Sequence, residues 1–303
     1  EMTSSLVGSE MCIRDRFYRD LVARLRRLHI EPIVTLYHWD LPMWLHDMGG
    51  WKNPKAIEWF ERYTETMVKA LSDTVQYWLT FNEPSIFVGF GYGTGVHAPF
   101  CRLPARDIQT ISRNIMLAHG RAVQTIRRHA KRTPKISFAN ATNVVMPGSC
   151  NSEDEAYTAS FDITTNGVFN AAWWADPMVL GKRPIGCDWL TDEDLKEIYQ
   201  PLDFMGFNTY NAESTERFHC DYTGIPRTTT GWRITPDCLY YVSKFLYRRY
   251  GLPVMVTENG MANVDIVFED GKVHDPQRSE YLRTHIRGLK KANNEGVPVI
   301  GYS

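Results

Sequence analysis

The chain has 303 residues, of which 43% are hydrophobic and 23% are charged, and its formal net charge is -1. This composition is that of an ordinary soluble globular protein, and it predicts one α/β domain with a large core. The basic residues are scattered apart from short runs at 24–27 and 127–128, which are more typical of solvated helix faces than of nucleic-acid patches. No apolar run approaches the ~20 residues that a membrane span needs. We therefore expect neither a nucleic-acid partner nor a membrane-bound form.

The six cysteines are widely spaced and form no C-x-x-C pair. This pattern predicts reduced thiols in a cytoplasmic protein without a structural zinc site. Aromatic residues are numerous, with nine Trp and fifteen Tyr, and several of them flank predicted strand ends. Aromatic faces can stack on sugar rings, although most aromatic side chains in a large domain belong to its core.

The first sixteen residues have no hydrophobic period and lack the basic start and apolar centre of a signal peptide. We interpret 1–16 as a non-native segment that resembles a translated sequencing adaptor joined to a partial gene. From Phe17 the pattern changes, because apolar residues recur at helical spacing through Leu28. The native part of the chain is therefore expected to begin with a helix at 17.

Strand and helix patterns alternate along the rest of the chain. Short apolar strands are predicted at 31–37, 75–81, 135–139, 202–208, 252–257 and 297–302. Helices are predicted at 59–71, at about 107–131, around 153–169, at 192–199 with Thr191 as N-cap, at 236–250 and at 276–293, and a loop is predicted at 87–99. This alternation favours parallel βα units. The fold class is predicted to be α/β, a TIM (β/α)₈ barrel of which about six of the eight strands are visible.

Polar residues follow four of the predicted strands. The strand ends read His38-Trp39-Asp40-Leu41-Pro42, Asn82-Glu83-Pro84, Asn208-Thr209-Tyr210 and Glu258-Asn259-Gly260. A barrel enzyme builds its active site at the C-terminal ends of its strands, so Glu83 and Glu258 are candidates for a catalytic pair. A single glutamate at a strand end is more often a helix cap or an ion-pair partner. His38 with Asp40 could also be interpreted as a metal pair, but two ligands without a third argue against a metal site.

Five ordered motifs resemble the β-glycosidases of glycoside hydrolase family 1, which includes bacterial β-glucosidases. They read TLYHWDLP at 35–42, TFNEP at 80–84, GVHAP at 95–99, GFNTY at 206–210 and TENG at 257–260. The resemblance runs from about residue 17 to the C-terminus. It implies that 17–303 is a partial (β/α)₈ catalytic domain. Two strands that precede 31–37 in the family, and the segment after the last strand, are expected to lie outside this chain. Each edge strand is then expected to have an open side, and the chain alone is expected to be a poor folder and a poor enzyme.

The resemblance also implies roles for individual residues. Glu83 would be the general acid/base and Glu258 the nucleophile of a retaining mechanism, in which the two carboxyl groups lie ~5 to 5.5 Å apart. The residues implied to bind the substrate are His38, Asn82, Asn208, Tyr210 and Trp232, the last as an aromatic platform for the leaving group. Trp39 and His97 are expected to support the shape of the site.

The function implied is that of a retaining exo-β-glycosidase, without metal or cofactor, acting on cello-oligosaccharides or aryl β-glucosides. The partner is then a small β-glucoside or oligosaccharide. The sequence gives no basis for predicting the oligomeric state. Two alternatives stay open, a 6-phospho-β-glucosidase and an inactive sugar-binding fragment of the family.

Overall fold

The computed structural model describes residues 16–148, 152–214 and 224–303, so the predicted non-native segment lies outside the described residues except for its last residue. The strands, in chain order, are β1 (Ile33–Tyr37), β2 (Tyr77–Asn82), β3 (Lys135–Ala141), β4 (Val145–Met146), β5 (Met205–Asn208), β6 (Glu213–Ser214), β7 (Val254–Glu258) and β8 (Val299–Tyr302). Six of them form a parallel sheet in the order β1-β2-β3-β5-β7-β8, and β4 pairs with β6 in a separate parallel sheet. All six predicted strands are confirmed, whereas the sequence pattern does not predict the two-residue strands β4 and β6.

Helices connect these strands. They are α1 (16–27), α2 (Met43–Asp47), α3 (Ala56–Leu71), α4 (Pro84–Val88), α5 (Ala105–His129), α6 (Glu153–Ser160), α7 (Ile163–Asn166), α8 (Ala171–Ala175), α9 (Asp192–Ile198), α10 (Cys238–Tyr250) and α11 (Pro276–Asn294). The predicted cap of α9 is confirmed, because the Thr191 side chain accepts a hydrogen bond from the backbone N–H of Asp194. This arrangement of parallel strands and connecting helices is that of an incomplete (β/α)₈ barrel.

The core lies on both faces of the central strands, as expected for parallel strands covered by helices. The longest helix, α5, turns a fully buried apolar face inward, and the predicted spacing of that face is confirmed by Ile111, Ile115, Ala118, Ala122 and Ile126. On the strands, the largest fully buried side chains are Trp78, Phe81, Phe138 and Phe207. This packing fixes the strands, and with them the polar residues at their C-terminal ends.

Two segments differ from the sequence prediction. The first part of the predicted loop at 87–99 is helical instead. Residues 87 and 88 are the last two of helix α4, and a π-helical turn follows at Gly89–Gly93. The helix predicted around 153–169 is divided into α6, α7 and a 3₁₀ turn at Gly167–Phe169. The division has a local cause: the side chain of Asp162 accepts from the backbone N–H of Thr164 and starts a new helix. Helical periodicity alone does not detect such a restart.

The two edge strands are less buried than the central ones. Within the described part of the chain, β1 pairs only with β2, and β8 pairs only with β7. Ile33 of β1 is 38% exposed and Ile300 of β8 is 48% exposed, whereas Val254 of the neighbouring strand β7 is fully buried. Among the described residues, each of these two edge strands therefore has one side without a strand partner, as the sequence predicts.

Gly206 allows β5 to pack closely against β3. A Cβ atom at this position would lie 2.7 Å from the carbonyl oxygen of Phe138, which is closer than a real side chain can approach. Close packing of the two strands therefore explains why the GFNTY motif has a glycine at this position. The close approach keeps Asn208, two residues further along, within reach of side chains at the end of β2.

Candidate active site

The polar residues that follow β2, β5 and β7 meet at one edge of the sheet. Parallel strands end on the same side, and the register pairs Asn208 with Glu258 directly. Across the sheet, the Asn208 side chain also reaches Glu83, because its Nδ2 donates to Glu83 Oε1 at 2.9 Å. Residues far apart in the sequence therefore form one cluster at the C-terminal ends of the strands.

Glu83 joins the end of β2 to the start of α4. Its backbone N–H donates to the carbonyl oxygen of Ala139 in β3 at 2.8 Å, and its φ of 46° lies in the left-handed region. Pro84 then begins α4, because its fixed φ suits the first position of a helix. This sharp change of direction turns the Glu83 side chain into the cluster, where it is only 8% exposed.

Burial raises the pKa of Glu83 from 4.5 to about 7. The hydrogen bond from Asn208 acts in the opposite direction and lowers this pKa, and the negative charge of Glu258 raises it further. Burial is the largest of the three effects. A carboxyl group with a pKa near neutrality can both donate and accept a proton at neutral pH, as a general acid/base must.

Glu258 ends β7 and is half-buried. The hydroxyl of Tyr210 donates a hydrogen bond to its Oε2. Burial, together with the hydrogen bond to the Glu258 carboxylate, raises the pKa of Tyr210 above its ordinary value, so the phenol keeps its proton at neutral pH. Tyr210 is therefore a permanent donor to this carboxylate.

A row of hydrogen bonds crosses the ends of four strands. Asn82 Nδ2 lies 3.1 Å from His38 Nε2, and Asn208 Nδ2 donates to Asn82 Oδ1 at 3.0 Å. The row ends at Thr257, whose hydroxyl donates to Asn208 Oδ1 at 2.5 Å. Each amide in the row is thus held on both sides. His38, Asn82 and Asn208, which the sequence predicts as substrate-binding residues, are brought together here.

Two tryptophans lie next to this row. Trp39 Nε1 donates to the backbone oxygen of Asn82 at 3.0 Å, and the Trp39 ring contacts that of His97 with centroids 5.5 Å apart. Trp232 is 46% exposed and contacts the Tyr210 ring, with centroids 5.3 Å apart. Trp232 therefore lies at the solvent side of the cluster, where an aromatic platform for a sugar or aglycone is expected.

Three residues behind Tyr210 are missing from the sequence prediction. The Tyr281 hydroxyl donates to the backbone oxygen of Tyr210 at 2.8 Å, and Asn259 Nδ2 donates to Tyr281 at 3.1 Å. Tyr302 in turn donates to Asn259 Oδ1 at 3.0 Å. Asn259 and Thr257 stand inside the TENG motif and could have been found there, but nothing in the sequence marks Tyr281, which lies on α11.

The cluster contains no metal-binding arrangement among the residues that the structure describes. In those ranges no group of three or more His, Cys, Asp or Glu side chains could hold an ion. His38 contacts the amide of Asn82, which points to a hydrogen-bonding role.

No helix in the described ranges has the length and apolar content to cross a bilayer.

A strand-end cluster with two glutamates in different surroundings is typical of a glycoside hydrolase built on a β/α barrel. The family model of glycosyl hydrolase family 1 matches residues 15–303. The chain belongs to glycosyl hydrolase family 1.

Similar proteins support the same assignment. The chain is 33% identical to beta-glucosidase A of Acetivibrio thermocellus, a match that covers 94% of this chain and 67% of that protein. It is 33% identical to an aryl-phospho-beta-D-glucosidase of Bacillus subtilis, over 94% of this chain and 67% of that one. Among solved structures, a family 1 β-glucosidase from Thermotoga maritima matches with a TM-score of 0.84 and 32% identity, over 95% of this chain and 67% of that one. The chain thus spans about two thirds of the length of these relatives, which are β-glycosidases.

Proposed function

We propose that the site is that of a retaining exo-β-glycosidase that cleaves β-D-glucosides, with Glu258 as nucleophile and Glu83 as general acid/base. The observation that carries this proposal is the contrast between the two carboxyl groups. Glu83 is buried with a pKa of about 7, whereas Glu258 lies half-buried beside the hydroxyl of Tyr210. Two carboxyl groups in such different surroundings suit the separate roles of acid and nucleophile.

The first step joins the sugar to the enzyme. A Glu258 carboxylate oxygen attacks the anomeric carbon while the bond from that carbon to the leaving oxygen breaks. The proton of Glu83 goes to the leaving oxygen, so the aglycone departs as a neutral alcohol and Glu83 becomes a carboxylate. Asn208 supports this change, since its Nδ2 already donates to Glu83 Oε1 and stabilises the ionised form.

The second step releases the sugar. The Glu83 carboxylate accepts a proton from water, and the water oxygen attacks the anomeric carbon as the bond to Glu258 breaks. Glu83 is protonated again and Glu258 leaves as a carboxylate, which Tyr210 stabilises by its hydrogen bond. Two inversions at one carbon give a product with the configuration of the substrate.

Hydrogen-bonding side chains around the pair suit a sugar ring. The side chains of Asn82 and His38 can bond ring hydroxyls, and Trp232 offers an exposed aromatic face to the leaving group. Carboxyl, amide and imidazole groups of this kind can hydrogen-bond the hydroxyls of an uncharged sugar ring. We therefore propose cello-oligosaccharides and aryl β-glucosides as substrates. We also propose a cytoplasmic location, because the six cysteines are widely spaced as in proteins with reduced thiols.

A second candidate is a 6-phospho-β-glucosidase, and the observation in its favour is the 33% identity to an aryl-phospho-beta-D-glucosidase. The two candidates share the glutamate pair and differ in how the 6-position of the sugar is held. A direct competition between substrates separates them. The remaining alternative, a sugar-binding chain without activity, shares the binding residues but predicts no turnover.

The test is a paired assay of p-nitrophenyl β-glucoside and its 6-phosphate, with the anomeric configuration of the first product followed by ¹H NMR. We expect hydrolysis of the uncharged glucoside with retention. Preference for the 6-phosphate would favour the second candidate, and inversion would contradict the roles assigned to the two glutamates. Binding of glucose-like inhibitors without hydrolysis of either substrate would support the inactive alternative.

A further inference from the structure

The hydrogen-bonded row ends at Thr257, which directly precedes Glu258 in the sequence. The Thr257 side chain touches neither carboxyl group through a hydrogen bond. Its hydroxyl donates instead to Asn208 Oδ1 at 2.5 Å. The same amide offers its Nδ2 to Glu83 Oε1 at 2.9 Å and to Asn82 Oδ1 at 3.0 Å. Thr257 and Glu83 are thus linked through one side chain.

The orientation of this amide matters because its two ends have opposite hydrogen-bonding character. In the observed orientation Nδ2 donates to Glu83, which favours the carboxylate form. If the amide rotated by half a turn, Oδ1 would face Glu83, and an oxygen acceptor favours the protonated carboxyl group. The rotation would also place Oδ1 against Asn82 Oδ1, and two acceptor oxygens cannot hydrogen-bond each other. The contacts with Thr257 and with Asn82 therefore both favour the observed orientation.

We propose that Thr257 is a positioning residue whose hydroxyl holds the Asn208 amide with its nitrogen toward Glu83. This inference rests on the proposed function, since it assigns a role in the setting of the acid/base. Asn208 is 2% exposed, so its Oδ1 has little access to water if the threonine hydroxyl is lost. The buried oxygen would then be left without a donor, and one of the two contacts that hold this orientation would be lost, so that the amide can rotate or move away from Glu83.

Both responses change the proton affinity of Glu83 in the same direction. Loss of the donated hydrogen bond removes an effect that lowers the pKa of Glu83, and a rotated amide accepts a hydrogen bond from the protonated form. Among the described residues, the other charged or titratable groups facing Glu83 are Glu258 on β7, whose charge raises this pKa, and the hydroxyl of Tyr210. His38 is linked to Glu83 through the side chains of Asn82 and Asn208. None of them contacts the Thr257 hydroxyl.

The experiment is a ¹³C NMR titration of the full chain with glutamate labelled at Cδ, in which the Glu83 resonance is assigned by its absence in Glu83→Gln. In Thr257→Val, which has nearly the same shape without the hydroxyl, we expect the midpoint of Glu83 to rise by about one pH unit. Thr257→Ser keeps the hydroxyl and should titrate like the wild type. The matched control is Thr209→Val, which removes a hydroxyl next to Asn208 that bonds the backbone oxygen of Asn211 and not the row.

An unchanged midpoint in Thr257→Val would overturn the proposal, and so would equal shifts in Thr257→Val and Thr209→Val. If Thr257→Val does not fold, Thr257→Ala and Thr257→Ser give the same contrast. A second readout is the pair of ¹⁵N-bound side-chain protons of Asn208, whose shifts should follow the titration of Glu83 in the wild type and in Thr257→Ser but not in Thr257→Ala. None of these measurements needs substrate, so the result stands apart from the outcome of the hydrolysis assay.

Discussion

The ends of β2 and β7 each present one glutamate to the same cluster, but they hold it in different ways. Glu83 sits on a left-handed backbone turn, is 8% exposed and receives a hydrogen bond from the amide of Asn208. Glu258 ends its strand in extended conformation, is half-buried and receives a hydrogen bond from the phenol of Tyr210. Burial, which is the largest effect on the pKa of Glu83, is therefore what distinguishes the two proposed roles. Substitutions at the two ends should therefore have different consequences.

The largest effect is expected at the end of β7. Glu258→Ala removes the proposed nucleophile, and we expect kcat for every β-glucoside to fall by at least ~10⁴-fold, as for other enzymes that lose a covalent nucleophile. Steady-state assays with aryl β-glucosides measure it. The matched control is Glu280→Ala, which removes an exposed glutamate paired with Arg283 on α11 and should leave kcat unchanged. A Glu258→Ala variant with more than a few per cent of wild-type turnover would contradict the assignment.

At the end of β2 the effect should depend on the leaving group. Glu83→Ala removes the proton donor, so we expect hydrolysis of cellobiose to fall by ~10²- to 10⁴-fold, whereas release of 2,4-dinitrophenol needs no protonation and should be largely spared in the first step. Added azide should restore turnover and give the β-glucosyl azide, detected by NMR. Equal losses for both substrates, without rescue, would show that the two ends do not differ as proposed.

Burial of Glu83 also predicts a pH-dependent stability. Its pKa of about 7 in the folded chain lies above the ordinary value of 4.5, so the stability it contributes is fully present below pH ~4.5 and is lost as pH rises to ~7. A difference of this size corresponds to ~3 kcal/mol. Urea unfolding at pH 4 and pH 8 should therefore show Glu83→Gln gaining about this much relative to wild type at the higher pH. The exposed control Glu280→Gln should change by less than ~0.5 kcal/mol, and an equal gain there would point to a general charge effect.

The smallest effect is expected for Tyr210→Phe, which leaves both glutamates in position. It removes one hydrogen bond to the Glu258 carboxylate, and a hydrogen bond to a charged group is worth ~1.5 to 3 kcal/mol, or ~10- to 100-fold in kcat/KM. The control is Tyr302→Phe, because the Tyr302 hydroxyl donates to the Asn259 side chain and not to Glu258. If both variants lose activity equally, the hydrogen bond from Tyr210 to the Glu258 carboxylate contributes no more to catalysis than the one from Tyr302 to Asn259.

Much of this arrangement follows from the sequence because it depends on local patterns. Apolar runs that end in polar residues predict the strands of the sheet and the residues at their tips, and shared strand direction brings Glu83 and Glu258 to one edge. The role of Tyr281 cannot be predicted in this way, since its contact with Tyr210 depends on how α11 packs against the sheet. The division of the helix around 153–169 at Asp162 has a different and local reason, because a capping side chain interrupts an otherwise continuous helical pattern.

The backbone at residue 83 has a consequence for how this protein would respond to selection. Within the described ranges, four non-glycine residues have a left-handed φ, and two of them, Trp39 and Glu83, contact the strand-end cluster. Such a conformation costs on the order of 1–2 kcal/mol for most side chains and least for glycine or asparagine. A library screened only for heat tolerance should therefore drift toward glycine or asparagine at 83, while a library screened for turnover keeps glutamate. At this position the amino acid that the backbone prefers differs from the one that the proposed acid/base role requires.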